Sequence, residues 1–186
     1  GIDKLYGEQG SDEIRGDEGD DLIYGGDGND TLYGGAGNDT LDAGSGDTSY
    51  LANKLYGEAG EDILKGGSAS DEIDGGTEND NITGGDGNDL IRGGDGEDTI
   101  SGGSGDDLIK GNKGRDTISG GAGSDTFFYG QVEYSSDSDV ITDFTAGSGG
   151  DKVDLTELHT WSLQSAGDSW SGKEFTYTHG YITLSL

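Results

Sequence analysis

Glycine and aspartate recur with a period of nine. The pattern Gly-Gly-x-Gly-x-Asp-x-aliphatic-x is clean in Gly25-Gly26-Asp27-Gly28-Asn29-Asp30-Thr31-Leu32-Tyr33. Units begin at residues 7, 16, 25 and 34, and again at 57, 66, 75, 84, 93, 102, 111 and 120. So strict a short period calls for stacked, near-identical units rather than an irregular core. Each unit divides into a six-residue turn and a three-residue strand. Glycine at positions one, two and four permits positive φ and close backbone approach. The closing tripeptide turns one aliphatic side chain inward and its neighbours outward. Two units close one 18-residue coil, so side chains stack at every second unit.

The inward positions form two columns. Ile14, Leu32, Leu55, Ile73, Ile91, Ile109 and Phe127 make one; Leu5, Ile23, Leu41, Leu64, Ile82, Ile100 and Ile118 make the other. All are apolar. The phase survives an irregular stretch from Ala43 to Tyr56, which has 14 residues in place of 9. Its extra residues, near 47–52, are expected to bulge as a loop without dividing the domain. The expected fold is all-β. A parallel β-roll, a β-helix-like solenoid, spans residues 1–128, and residues 129–186 supply a degenerate last turn and an aromatic-rich cap.

Such a roll has a thin core. Only 28% of residues are hydrophobic, against 39 acidic and 10 basic ones, for a formal charge of −29. One inward aliphatic per unit does not offset chain ordering, and this composition elsewhere signals disorder. Here the acids are periodic, which points to a counter-ion. Asp12, Asp30, Asp71, Asp89, Asp107 and Asp125 fall in one column, with Asn53 in the intervening slot. Asp21, Asp39, Asp62, Asp80, Asp98 and Asp116 fall in the other. Like charges one strand spacing apart, roughly 5 Å, are unfavourable unless a cation lies between them. Carboxylate and carbonyl oxygens are hard ligands that suit calcium. Two histidines and no cysteine leave little for zinc, and magnesium prefers a smaller, water-rich shell. The same charge disfavours nucleic acid and anionic membranes as partners. No disulfide can form, no transmembrane run is present, and no amino-terminal signal peptide is recognisable. A chain that starts at Gly1 without Met reads as a fragment of something longer.

The nonapeptide resembles the RTX, or hemolysin-type, calcium-binding repeats over roughly residues 1–128. The resemblance implies an ion between loops one coil apart. The lower loop gives its Asp and the carbonyls of positions two and four; the upper gives its Asp and the carbonyls of positions one and three. Carried over, one site has Gly85, Gly87 and Asp89 below with Gly102, Ser104 and Asp107 above; another has Gly94, Gly96 and Asp98 with Gly111, Lys113 and Asp116. The remaining lower-loop carbonyls come from Gly10, Gly19, Gly35, Gly37, Gly60, Gly67, Gly76, Gly103 and Gly105. At upper position one they come from Gly25, Gly34, Gly57, Gly75, Gly84, Gly93 and Gly120. At upper position three they come from Asp27, Ala36, Ala59, Thr77, Asp86, Asp95 and Ala122. Adjacent Asp pairs imply roughly 8–10 calcium ions, and about nine would bring −29 to about −11. Glu8, Asp17, Glu58 and Asn112 replace the second Gly. Ala69 and Glu78 stand at position four, and are expected to weaken or distort the sites below Asp89 and Asp98. The inserted loop is expected to break the first column near Asp30 and Asn53.

Beyond Tyr129 aromatics accumulate: Tyr134, Phe144, Trp161, Trp170, Phe175, Tyr177 and Tyr181. Asp137-Ser138-Asp139-Val140-Ile141 reads as a last degenerate turn in which Asp139 closes a further site against Asp116. Asp139 to Phe144, then Asp151 to Leu155, resemble the segment that follows such repeats in secreted RTX proteins. Val153 to Leu158 reads as a short helix or turn, and Phe175–Tyr177 and Tyr181–Leu186 as strands. A coil end exposes unpaired edges and stacked apolar side chains, so a cap is the expected role. A glycan surface on Trp161, Trp170 and Tyr177 is the alternative. His159 and His179 belong to no metal or catalytic motif.

Charge and core together lead to calcium-coupled folding of a monomeric module; the resemblance implies that it belongs to a bacterial type I secreted protein, extracellular or at the cell surface. Calcium and, by resemblance, the secretion machinery are its partners. No His-Glu-x-x-His or Gly-x-Ser-x-Gly occurs, so the chain itself is not expected to be an enzyme. The alternatives are the ligand- or glycan-binding end of a surface adhesin, or a non-catalytic module of a secreted hydrolase or polysaccharide-modifying enzyme. Position seven runs Glu13, Leu22, Thr31, Thr40, Ile63, Glu72, Asn81, without the continuous Thr ladder that would suit ice binding.

Overall fold

The computed structural model describes residues 1–44, 52–129, 139–146 and 148–154, together with the backbone of 169–170, 174–177 and 180–184. The chain winds as a β-solenoid whose alternate strands enter two opposed sheets. The first contains Lys4–Gln9, Leu22–Asp27, Thr40–Asp42, Ile63–Ser68, Asn81–Asp86, Thr99–Ser104, Thr117–Ala122 and Asp139–Ile141, in that spatial order. The second contains Glu13–Glu18, Thr31–Ala36, Lys54–Ala59, Glu72–Thr77, Leu90–Asp95, Leu108–Lys113, Thr126–Phe128 and Lys152–Asp154. Every pair within these two series is parallel, and no helix occurs among the described residues.

Register follows the sequence columns. Ile91 pairs with Ile73 and Ile109, and Ile100 with Ile82 and Ile118. The inward aliphatics from Ile23 to Phe127 are buried and pack as one core; Leu5 and Ile14 at the amino-terminal end are partly buried. Across the insertion Leu32 pairs with Leu55 and Leu41 with Leu64, so the added residues leave both sheets in phase. The loop itself, at residues 45–51, lies outside the described residues.

Strand length departs from expectation. The strands are mostly six residues long, running from position seven through position three of the next unit. Pairing continues past the tripeptide, as in Gly94 with Gly76 and Asp95 with Thr77, because neighbouring coils keep the same turn geometry. The link between strands therefore shrinks to positions four to six.

At the carboxy-terminal end, Val153 follows Phe127 in register and Ile141 follows Ile118. Lys152–Asp154 is a strand, in contrast to the helix or turn expected from Val153 onward; pairing with Thr126–Phe128 decides its conformation. Residues 155–158 of that expectation lie outside the described residues. Gly180–Leu184 pairs in parallel with Asp139–Ile141, and Glu174–Tyr177 and Ser169–Trp170 follow in antiparallel order. Strands were expected at two of these three places. Tyr134, Trp161, His159 and His179 lie outside the described residues.

Candidate metal centre

The position-six aspartates line the two edges where the chain passes between sheets. Asp21 to Asp125 are buried, each at most 3% exposed. The two carboxylate oxygens have different surroundings. Oδ1 accepts the backbone N–H of the corresponding residue one coil earlier: Asp71 N–H to Asp89, Asp89 to Asp107 and Asp80 to Asp98, at 2.8–2.9 Å. Oδ2 is buried without a hydrogen-bond partner in Asp12, Asp21, Asp30, Asp39, Asp62, Asp71, Asp80, Asp89, Asp98, Asp107, Asp116 and Asp125. A buried oxygen without a partner is rare in a folded protein, and here the same atom recurs in every unit.

The glycines show what that oxygen faces. At position one no glycine has a positive φ, so the conformational reason expected there does not apply. The reason is space. A Cβ on Gly34 would lie 2.5 Å from Asp39 Oδ2 and 2.7 Å from the Gly57 carbonyl oxygen of the next coil. On Gly66 it would lie 2.6 Å from Asp71 Oδ2 and 2.5 Å from the Gly84 carbonyl oxygen. The missing methyl group thus leaves open a gap onto which a carboxylate oxygen and a carbonyl oxygen of the next coil both face, the hard donors that calcium takes. At positions two and four, glycines such as Gly85 and Gly87 do have positive φ, and each faces the carbonyl of the equivalent residue one coil below.

Departures from glycine at position two keep this backbone. Glu8, Asp17, Glu58 and Asn112 adopt φ of 69–77°, as does Glu78 at position four with 75°. Ala69 does not adopt positive φ, yet its carbonyl still faces Gly87, just as the Glu78 carbonyl faces Gly96. The expected weak points therefore retain their carbonyl positions.

Burial makes the empty-handed carboxylates poor anions. It pushes Asp62, Asp80, Asp98 and Asp139 up to about 7, and Asp71, Asp89, Asp107 and Asp116 up to about 6. The backbone N–H received at Oδ1 partly opposes this, and neighbouring Asp charges mostly add to it. A divalent cation removes both penalties at once. Among the described residues no three His, Cys, Asp or Glu side chains gather at one point. The donors here are instead paired carboxylates with carbonyls, an all-oxygen set that fits calcium.

Sequence spacing found these columns, with Asp139 at the end of the second, and missed Asp3 and Asp151. Asp139 joins the second column, its Oδ1 accepting from Asp116 at 2.9 Å. Asp151 continues the first, accepting from Asp125 at 3.0 Å and from Thr145 at 2.7 Å. Asp3 begins the second by donating its N–H to Asp21 at 2.7 Å. Asp151 lies 26 residues beyond Asp125 instead of 18, which hides it from a period of nine. Asn53 takes its slot between Asp30 and Asp71.

A two-sheet solenoid with an oxygen ladder along each edge defines a calcium-binding β-roll. Comparison with protein families gives the same answer: the RTX calcium-binding nonapeptide repeat matches residues 1–32, 16–50, 47–82, 74–109 and 101–131. The chain belongs to that family. No curated protein matches the chain.

Proposed function

We propose that this chain is a calcium-driven folding module of a bacterial protein exported by type I secretion, acting outside the cell. The observation that carries the reading is the unpartnered, buried Oδ2 of every position-six aspartate from Asp12 to Asp125. Without calcium the two acidic columns repel and desolvation opposes ionisation, so the chain stays unfolded and suited to passage through a narrow channel. With calcium the sites form only as coils stack, and binding free energy becomes folding free energy. The repeat Asp residues and the carbonyls of positions one to four hold the ions, with Asp139 extending the second column. The ion supplies the positive charge between coils; the chain supplies orientation through the Oδ1 ladder and keeps side chains out of the gap through the position-one glycines.

The aromatic carboxy-terminal segment is proposed to cap the roll, supported by the strand that continues the first sheet past Asp139–Ile141. The segment carries out no chemistry of its own in this reading; any activity belongs to a longer protein.

Titrating calcium into EDTA-treated protein while following far-UV circular dichroism and bound-ion count tests the proposal. A cooperative coil-to-β transition with roughly 8–10 ions bound is expected. A folded, calcium-indifferent protein would sink it.

A further inference from the structure

Between Gly7 and Phe128, position one is glycine in every unit that has aspartate at position six. Within that span the one unit that departs from either rule departs from both: Ala43 stands at position one and Asn53 at position six. The correspondence is fixed by register. Asp42 pairs with Tyr24 below and Lys65 above, which aligns Ala43 with Gly25 and Gly66. The Ala43 N–H donates to the Lys65 carbonyl at 2.9 Å, and its own carbonyl accepts from Gly26 at 3.1 Å. Gly44, at position two, keeps a positive φ of 91°. On the far side of the turn, Asn53 Oδ1 accepts the Asp30 N–H at 2.9 Å, and the Asn53 N–H donates to Asp71 Oδ1 at 2.7 Å. Both residues hold ordinary ladder positions, with the inserted loop between them.

Both also change the gap in which a cation would sit. Elsewhere the position-one glycine leaves space beside the unpartnered carboxylate oxygen. Ala43 brings the Cβ that those glycines lack; it is 1% exposed and packs with the hydrophobic core. Asn53 is likewise 1% exposed, and its Nδ2 is buried without a hydrogen-bond partner. An amide nitrogen presents donors, not lone pairs, and so does not ligate a cation.

We infer that Ala43 and Asn53 form a cation-free rung that divides the first aspartate column, a methyl group filling the gap and a neutral amide replacing the charge. The inference rests on the calcium reading of the columns. It makes the first column two blocks, Asp12 and Asp30 on one side and Asp71 to Asp151 on the other, while the second column runs unbroken from Asp3 to Asp139. The coil that bears the insertion is therefore held by hydrogen bonds and core packing at this edge, and takes no ion there. Filling the gap and removing the charge are both required, because a methyl group beside a buried carboxylate would leave that charge uncompensated.

The test compares bound calcium, measured by atomic emission after equilibrium dialysis, in the wild-type chain, Ala43→Gly, Asn53→Asp and the double variant. Far-UV circular dichroism in saturating calcium confirms that each is folded. The double variant is expected to bind at least one more ion than wild type, and neither single variant to do so. Wild type that binds calcium with no gain in the folded double variant overturns the divided column and leaves the calcium reading intact. A full gain from Asn53→Asp alone overturns the role given to Ala43. A wild-type chain that binds no calcium overturns the calcium reading itself, and this inference with it.

Discussion

Asp98→Asn should have opposite effects with and without calcium. The residue lies mid-column, 1% exposed, between Asp80 and Asp116. Asparagine retains an oxygen for the Asp80 N–H, now bound at 2.9 Å, and Asn53 shows that an amide fits such a rung. What changes is charge. Burial pushes the Asp98 carboxyl up to about 7 from 3.8, which at pH 8 corresponds to about 4 kcal/mol against the ionised form. Solvent screening at the turn brings this to about 2 kcal/mol. The calcium-free fold should gain that much on substitution. The loaded fold should lose ligands at two coil interfaces, toward Asp80 and toward Asp116, and bind about two fewer ions. The first effect can be measured in EDTA, as the trimethylamine N-oxide concentration needed to induce β-structure; the second, as bound calcium after dialysis. A variant no easier to fold in EDTA would refute the electrostatic argument, and an unchanged ion count would remove Asp98 from the ligand set.

The other predictions address separate parts of the structure. Because folded-state values near 6–7 lie above the ordinary 3.8, protonation favours the calcium-free fold. That contribution is complete below about pH 4 and lost as pH rises through 6–7, so acid should promote β-structure in EDTA; a pH-independent spectrum contradicts this. With calcium present, protons compete for the same oxygens, and the calcium midpoint should rise as pH falls from 7 to 5. Gly34→Ala, at a φ that suits an L-residue but with a Cβ that would crowd Asp39 Oδ2 and the Gly57 carbonyl, should remove one ion from the folded chain; wild-type stoichiometry would show that the gap is not a ligand space. Ile82→Ala empties a fully buried position and should destabilise the loaded roll by about 2–4 kcal/mol in urea titrations.

The period of nine made the core and the carboxylate columns legible because each is fixed by local repetition. Ile91 and Ile109, or Asp89 and Asp107, can be paired by counting alone. What counting missed depends on contacts that repetition does not specify. Asp151 joins its column through a strand that pairs with Thr126–Phe128 only in the folded chain. Lys152–Asp154 carries no repeat signal, and its strand conformation comes from that pairing. Position-one glycine looked like a backbone requirement, since sequence does not distinguish the need for positive φ from the need for an absent Cβ. Asp143, which accepts from the Gly120 and Gly121 N–H groups and from Ser119 Oγ, has no counterpart in the repeat at all.

The carboxylate ladder is also a one-way street. Each aspartate N–H gives its hydrogen to the following coil, from Asp3 up to Asp139 and from Asp12 up to Asp151. In these two ladders the aspartate amide is therefore satisfied by what comes after it in the chain, not by what came before. Shortening the roll from its amino end frees an acceptor that water readily serves, whereas trimming back past Asp139 and Asp151 strands donors at the buried Asp116 and Asp125. Within the roll each coil is, in this sense, held by the one synthesised after it.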